Sequence, residues 1–156
     1  MATYKTELFG HLVYSPELSY EDLLAREEEA KLLLQNVLME HGAEFLNFEA
    51  LGDTLRAQCV FSGGDEAFYQ DICNAMSPVL RDGITGRLLF VDKDLEILHL
   101  YALADGKWQE AVMQLPQPGF LDLAALPVKV LDVAPSRAKA AQKPAQKPAG
   151  KPAGKK

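Results

Sequence analysis

An α+β domain is what this chain of 156 residues predicts. The expected architecture is a ferredoxin-like βαββαβ two-layer sandwich, extended by a C-terminal β-meander and followed by a disordered tail. Three observations lead there. Several short runs alternate apolar with polar residues, the period of a half-buried strand. Two longer runs repeat apolar residues every three or four positions, the period of an amphipathic helix. The two periods follow one another as strand, helix, strand, strand, helix, strand, and then two further strands, and the first six elements are those of a split βαβ plan. With 48% apolar and 24% charged residues the composition is that of a globular domain. The length suits one such domain, over residues 1–134, with a tail over 135–156.

The first strand is expected over Tyr4 to Tyr14. Tyr4, Thr6, Leu8, Leu12 and Tyr14 share one face, while Lys5, Glu7 and His11 lie on the other. Phe9 and Val13 on that second face predict that it is partly covered as well.

The first helix is clearly punctuated. Ser19 is the expected N-cap, Asp22 completes a variant capping box, and Leu18 with Leu23 forms a hydrophobic staple. Leu23, Ala30, Leu33, Leu34, Val37 and Leu38 form the buried stripe, and Glu27 with Lys31 an i,i+4 ion pair. Gly42 stops the helix after His41, which suits the negative end of the helix dipole.

Two strands are expected next, over Glu44 to Leu51 and Thr54 to Phe61, joined at Gly52-Asp53 by a type II′ turn. The second helix begins at Asp65 as N-cap and buries Phe68, Ile72, Met76, Val79 and Leu80. Pro78 should kink or divide it by driving residue 77 out of the α region, and Gly83 should close it. Strands over Gly86 to Val91, Glu96 to Leu103 and Trp108 to Leu115 follow. Asp92 to Leu95 forms the first turn between them and Asp105-Gly106 a type I′ turn. One helical turn over Leu121 to Leu126 and a short strand over Val128 to Val133 complete the expected domain.

Charge is distributed unevenly. The net charge is −6, yet Arg137, Lys139, Lys143, Lys147, Lys151, Lys155 and Lys156 are basic and no acid follows Asp132. Met1 to Ser136 therefore holds nine of the 16 basic residues against all 22 acids, a charge of −13. The tail repeats a four-residue unit, Ala141-Gln142-Lys143-Pro144 through Ala153-Gly154-Lys155-Lys156. Proline every fourth residue removes helix donors, and nothing larger than alanine or proline is available to bury. In composition this segment is similar to the Lys/Ala/Pro tails of linker-histone-like proteins. Its seven basic residues are the candidate contacts to nucleic acid, nonspecific and carried by phosphate neutralisation.

Sites of chemistry are sparse. Ser62-Gly63-Gly64-Asp65-Glu66-Ala67-Phe68 is similar to the Gly-Gly-Asp-Glu-Phe signature of diguanylate cyclases, but Ala67 interrupts it and it lies between a strand and a helix rather than in a hairpin. The acids Asp65 and Glu66 also disfavour an anion at that helix N-terminus. Asp92, Asp94 and Glu96 read as a solvated turn. His11, His41 and His99 have no metal-ligand spacing. His99, between Ile97 and Tyr101, reads as a hydrogen-bonded core residue, Cys59 as an inert thiol, and a Cys59–His99 dyad across the sheet is the one nucleophilic pairing open to the fold. Two cysteines, Cys59 and Cys73, are too few for a disulfide scaffold, no run of 18 apolar residues exists, and the N-terminus lacks a signal-peptide core. A cytoplasmic location is expected, with no cofactor, metal or membrane partner. An acidic body repels phosphates, and no Lys/Arg-Gly-Phe-type stacking signature exists for RNA binding on the sheet.

No catalytic constellation is visible. The expected function is therefore that of a non-enzymatic module that binds a protein partner, or itself as a homo-oligomer, through its sheet. A nucleic-acid-associated protein using the tail is the first alternative. A small-molecule-binding domain or enzyme with a site assembled from residues read here as structural is the second.

Overall fold

The computed structural model describes residues 3–80 and 83–115. Its elements are β1 (Thr6–Tyr14), α1 (Tyr20–Glu40), β2 (Glu44–Ala50), β3 (Thr54–Phe61), α2 (Glu66–Met76), β4 (Ile84–Asp92), β5 (Ile97–Ala104) and β6 (Lys107–Gln114). The six strands form one antiparallel sheet in the order β2-β3-β1-β4-β5-β6. The α+β class is as expected. In strand count and order the sheet departs from an exact ferredoxin-like sandwich, since β5 and β6 continue it beyond β4. The segments expected over 121–126 and 128–133, and all seven basic tail residues, lie outside the described residues.

Alternation along the strands builds the core. Thr6, Leu8, Leu12 and Tyr14 of β1, Leu55, Ala57, Cys59 and Phe61 of β3, and Ile84, Leu88 and Phe90 of β4 are buried on one sheet face. Ala30, Leu34, Val37 and Leu38 of α1 and Tyr69, Ile72, Cys73 and Met76 of α2 join the same core. Both helices thus cover one face. Two cross-strand pairs set how closely β1 and β4 pack: Gly10 stands opposite Leu88, and Leu12 opposite Gly86. Each leucine leans over the glycine facing it, and a methyl added at Gly86 would lie 2.5 Å from Leu12 Cδ2.

Local signals place the helix ends. Ser19 Oγ accepts from the Asp22 amide at 3.1 Å and donates to Asp22 Oδ2 at 2.7 Å. The Asp22 carboxylate thus accepts a hydrogen bond from the Ser19 hydroxyl, where in a capping box it accepts one from the Ser19 backbone N–H. Gly42 at φ +84° ends α1 in a Schellman motif, with Ala43 N donating to Leu38 O and Gly42 N to Met39 O. His41 Nδ1 lies 2.7 Å from the Val37 carbonyl, the C-terminal role expected of it. The expected Glu27–Lys31 pair does not form; Lys31 Nζ stands 5.9 Å from the Phe48 ring centroid.

Asp65 Oδ1 caps α2 by accepting from Phe68 N at 2.9 Å. The helix ends at Met76, ahead of Pro78 and well before Gly83. Ser77 nevertheless keeps α-region angles (φ −53°, ψ −38°), against expectation. It is held there by a tightened last turn in which Val79 N donates to Met76 O and Leu80 N to Ser77 O. Asp105 (φ 51°) and Gly106 (φ 73°) are both left-handed, as a type I′ turn requires. At the other hairpin only Gly52 is left-handed (φ 85°), and Asp53 N donates to Leu51 O at 3.2 Å, so the reversal at Gly52 is a three-residue γ-turn in place of the expected type II′ turn.

Candidate functional site

Strand pleating sends every second side chain to the face away from the helices. No described element covers that face. Its composition follows from register. His11 pairs with Arg56 on β3 and with Arg87 on β4, so a row of three nitrogen-bearing side chains crosses the middle of the sheet. Lys107 extends the cationic character at the β6 edge. The neighbouring row runs Gln58, Phe9, Leu89, Leu100 and Ala111, and the next holds Val60, Glu7, Val91, Leu98 and Met113. Phe9 is 38% exposed and Met113 47%. The partial cover expected over Phe9 and Val13 comes from neighbouring side chains and not from a second layer among the described residues.

The face is uneven. Two shallow grooves of about 320 and 270 Å³ flank Phe9, Asn47 and Gln58. A depression of about 560 Å³ lies towards the Asp105-Gly106 turn and includes Arg87, Lys107 and Gln109. Phe45, at a bulge in β2 with φ 55°, is 74% exposed and meets Tyr4 edge-on at 5.4 Å. Arg56 approaches Glu49 at only 3.9 Å, Lys93 pairs with Glu7 at 3.3 Å, and Arg87 and Lys107 have no ion pair among the described residues. Such exposed pairs contribute little stability. The opposite layer is acidic: α1 alone carries Glu21, Asp22, Glu27, Glu28, Glu29 and Glu40 against Arg26 and Lys31. The domain is thus polarised, with its cations concentrated on the sheet's open face, a separation the net charge conceals.

The other candidates resolve differently. Cys59 faces Leu8, Leu8 faces Phe90 and Phe90 faces His99. Cys59 and His99 are therefore three strand spacings apart, roughly 14 Å, and form no dyad. Burial pushes the Cys59 thiol up to about 12, and the Cys73 thiol likewise, the latter helped by the Glu110 charge. The His99 ring packs against Tyr69 at 4.9 Å, and its buried Nδ1 has no hydrogen-bond partner among the described residues, so at that nitrogen ring packing stands in place of the expected hydrogen bond.

A polar cluster missed in the sequence lies between α2 and β6. Gln70 Nε2 donates to Glu66 and to Glu110, at 3.1 and 3.0 Å, and Tyr101 lies beside Glu110 across the β5–β6 pair. The hydrogen bond from Gln70 holds the Glu110 carboxyl below its usual range, while burial and the neighbouring Glu110 charge push the Tyr101 phenol up; the Tyr101 hydroxyl itself is buried and makes no hydrogen bond among the described residues. Each group is moved away from neutrality, the reverse of what proton transfer near neutral pH needs.

Asp92 caps its own turn, its Oδ1 accepting from the Asp94 and Leu95 amides at 3.0 and 2.9 Å. Among the described residues no group of three or more His, Cys, Asp and Glu side chains could hold a metal ion, and no helix is long and apolar enough to cross a membrane. Gly64 makes room for aromatic rings, since a Cβ there would lie 2.8 Å from Tyr69 Cε1, which gives the Gly-Gly segment a packing role. Compared with known proteins, the chain matches no family model and no curated protein.

Proposed function

We propose that this chain is a non-enzymatic interaction module and that the open face of its sheet is the surface through which it binds a protein partner or a copy of itself. The observation that supports this reading most is the contiguous aliphatic block on β4, β5 and β6 (Leu89, Val91, Leu98, Leu100, Ala111, Met113), bordered by the Arg56–His11–Arg87 row. Apolar groups rimmed by charge are the composition of a docking surface, where the apolar part supplies affinity and the rim sets register. In this reading β1 to β4 with the two helices are a ferredoxin-like block. The appended β5–β6 meander widens the open face and supplies most of its aliphatic residues.

The test compares the full chain with Leu100→Glu as baits in affinity capture from the cells that make it, with sedimentation of each bait alone. A partner, or a self-associated species, that wild type holds and the variant loses at unchanged melting temperature is the expected result. Identical captured sets and identical sedimentation would refute the reading. The tail supports a second reading, nonspecific contact with nucleic acid. The seven basic residues from Arg137 onward carry it, and its experiment is salt-dependent binding to a duplex.

A further inference from the structure

We infer that the open sheet face receives helix α1 from a second copy of this chain. The inference rests on the reading of that face as a docking surface and names its occupant. Two lines of side chains run side by side along the outward side of α1, each at seven-residue spacing. One is Ala25, Leu32 and Met39; the other is Glu21, Glu28 and Gln35, and all six are exposed. Leu32 is 59% exposed and Met39 57%, while Leu24, at 44%, stands on the far side of the acidic line. Large apolar side chains this open, on a helix that buries Ala30, Leu34, Val37 and Leu38 on its other side, are a stripe without a partner among the described residues.

The sheet face carries the complement of that pair of lines. The Arg56–His11–Arg87 row lies on β3, β1 and β4 and the aliphatic block on β4, β5 and β6, the two meeting at β4, so a helix laid across the strands sets Glu21 and Glu28 of its N-terminal half over the cations and Leu32 and Met39 of its C-terminal half over the block. Dimensions agree as well. A helix of 21 residues is about 31 Å long, and a six-stranded sheet spans about 24 Å between its outer strands.

A single-stranded polyanion fits less well. Base stacking needs aromatic platforms, and beyond Phe9 and Phe45 the face is aliphatic, with Glu7 and Glu49 set among its cations. The contact between copies is heterologous, because the helix side of one meets the sheet side of the next. Each bound copy keeps one surface free, so association propagates to a ring or a filament and does not stop at a two-fold dimer. Charges at the rim make it weaken with salt.

The experiment uses the full chain, a sheet variant (Arg56→Glu with Arg87→Glu) and a helix variant (Leu32→Lys with Met39→Lys), followed by sedimentation velocity from micromolar to millimolar concentration. Circular dichroism melts check folding, and single Arg87→Glu and Leu32→Lys chains replace a double variant that fails to fold. Wild type is expected to grow in mass with concentration, and each variant to lose association by at least about tenfold, or 1.4 kcal/mol. An equimolar mixture of the two variants, which restores one intact helix side facing one intact sheet side, is expected to form a 1:1 complex and grow no further.

A monomeric wild type overturns the inference and leaves the docking reading to its own test. Association lost in the sheet variant but kept in the helix variant overturns α1 as the occupant and retains the sheet face as a docking surface. Association unchanged in both variants overturns the inference and the docking reading together. A single-stranded oligonucleotide bound by wild type and released by the sheet variant overturns the inference in favour of a polyanion.

Discussion

Gly86→Ala tests the packing that sets β1 against β4. The added methyl would stand 2.5 Å from Leu12 Cδ2 and 3.3 Å from the His11 carbonyl oxygen. Carbon atoms pack best at about 3.5–4.0 Å, so the leucine has to retreat by roughly an ångström. Leu12 is fully buried and has no solvent to retreat into. Overpacking of this kind costs about 1–3 kcal/mol. Removing glycine from the unfolded chain returns about 0.4–1 kcal/mol, leaving a net loss of about 1–2 kcal/mol.

Gly10→Ala is the internal control. Its methyl meets Leu88 Cδ2 at 3.2 Å and Ala57 Cβ at 3.5 Å, so a shift of a few tenths of an ångström suffices. The overpacking cost there is small enough for the unfolded-state gain to cancel it, and the net change should stay within about 0.5 kcal/mol. Urea denaturation followed by circular dichroism reads both variants, and unchanged slopes confirm that the unfolded state is comparable. Leu12→Val combined with Gly86→Ala should be less damaging than the sum of the two, by about 1 kcal/mol, because the shorter side chain vacates the space the methyl needs. A Gly86→Ala chain as stable as Gly10→Ala, or strict additivity in the double variant, would refute the interlocking leucine–glycine account.

Other consequences are simpler to state. Ser19→Ala removes the α1 cap and should cost about 1 kcal/mol in denaturant melts, whereas Leu34→Asp places a carboxylate in the core and should prevent cooperative folding. With both thiols raised from an ordinary value near 9 to about 12, the folded state holds those protons more tightly than the unfolded one. Their contribution is therefore complete below pH 9 and is lost as pH rises toward 12. The urea midpoint should fall across that window, and thiol reagents should label Cys59 and Cys73 only on unfolding; a flat profile with fast labelling of the native chain would contradict the burial argument. A chain ending at Ser136 should lose the salt-sensitive duplex binding of the full chain, whose log–log salt slope is expected near roughly −6 if all seven basic residues engage.

Much of the fold was legible because its signals are local. Ser19, Asp65, Gly42 and the Asp105-Gly106 pair each mark a chain end or reversal through their own backbone or side chain. Two-residue alternation exposed the strands without help from their neighbours. What stayed hidden depends on register between distant segments. Arg56, His11 and Arg87 are 45 and 76 residues away from one another along the chain in sequence order His11–Arg56 and His11–Arg87, and only the central position of β1 brings them into one row. A charge of −13 summed over the body argued against any cationic surface, yet a sum carries no information about which layer holds which sign. The Glu110, Gln70 and Tyr101 cluster was invisible for the same reason, since it needs the β5–β6 register and the placement of α2 above it. The bulge that exposes Phe45 carries no glycine to announce it.

The central claim is that the open face binds. A photo-reactive benzophenone side chain replacing Leu100 on β5 tests it most directly, with the same probe replacing the exposed Asp71 of α2 as reference, each in the full chain at high concentration and with any captured partner. Crosslinks from position 100 and none from position 71 are the predicted result. Crosslinks from position 71 alone would place the binding surface on the helical layer and contradict the account.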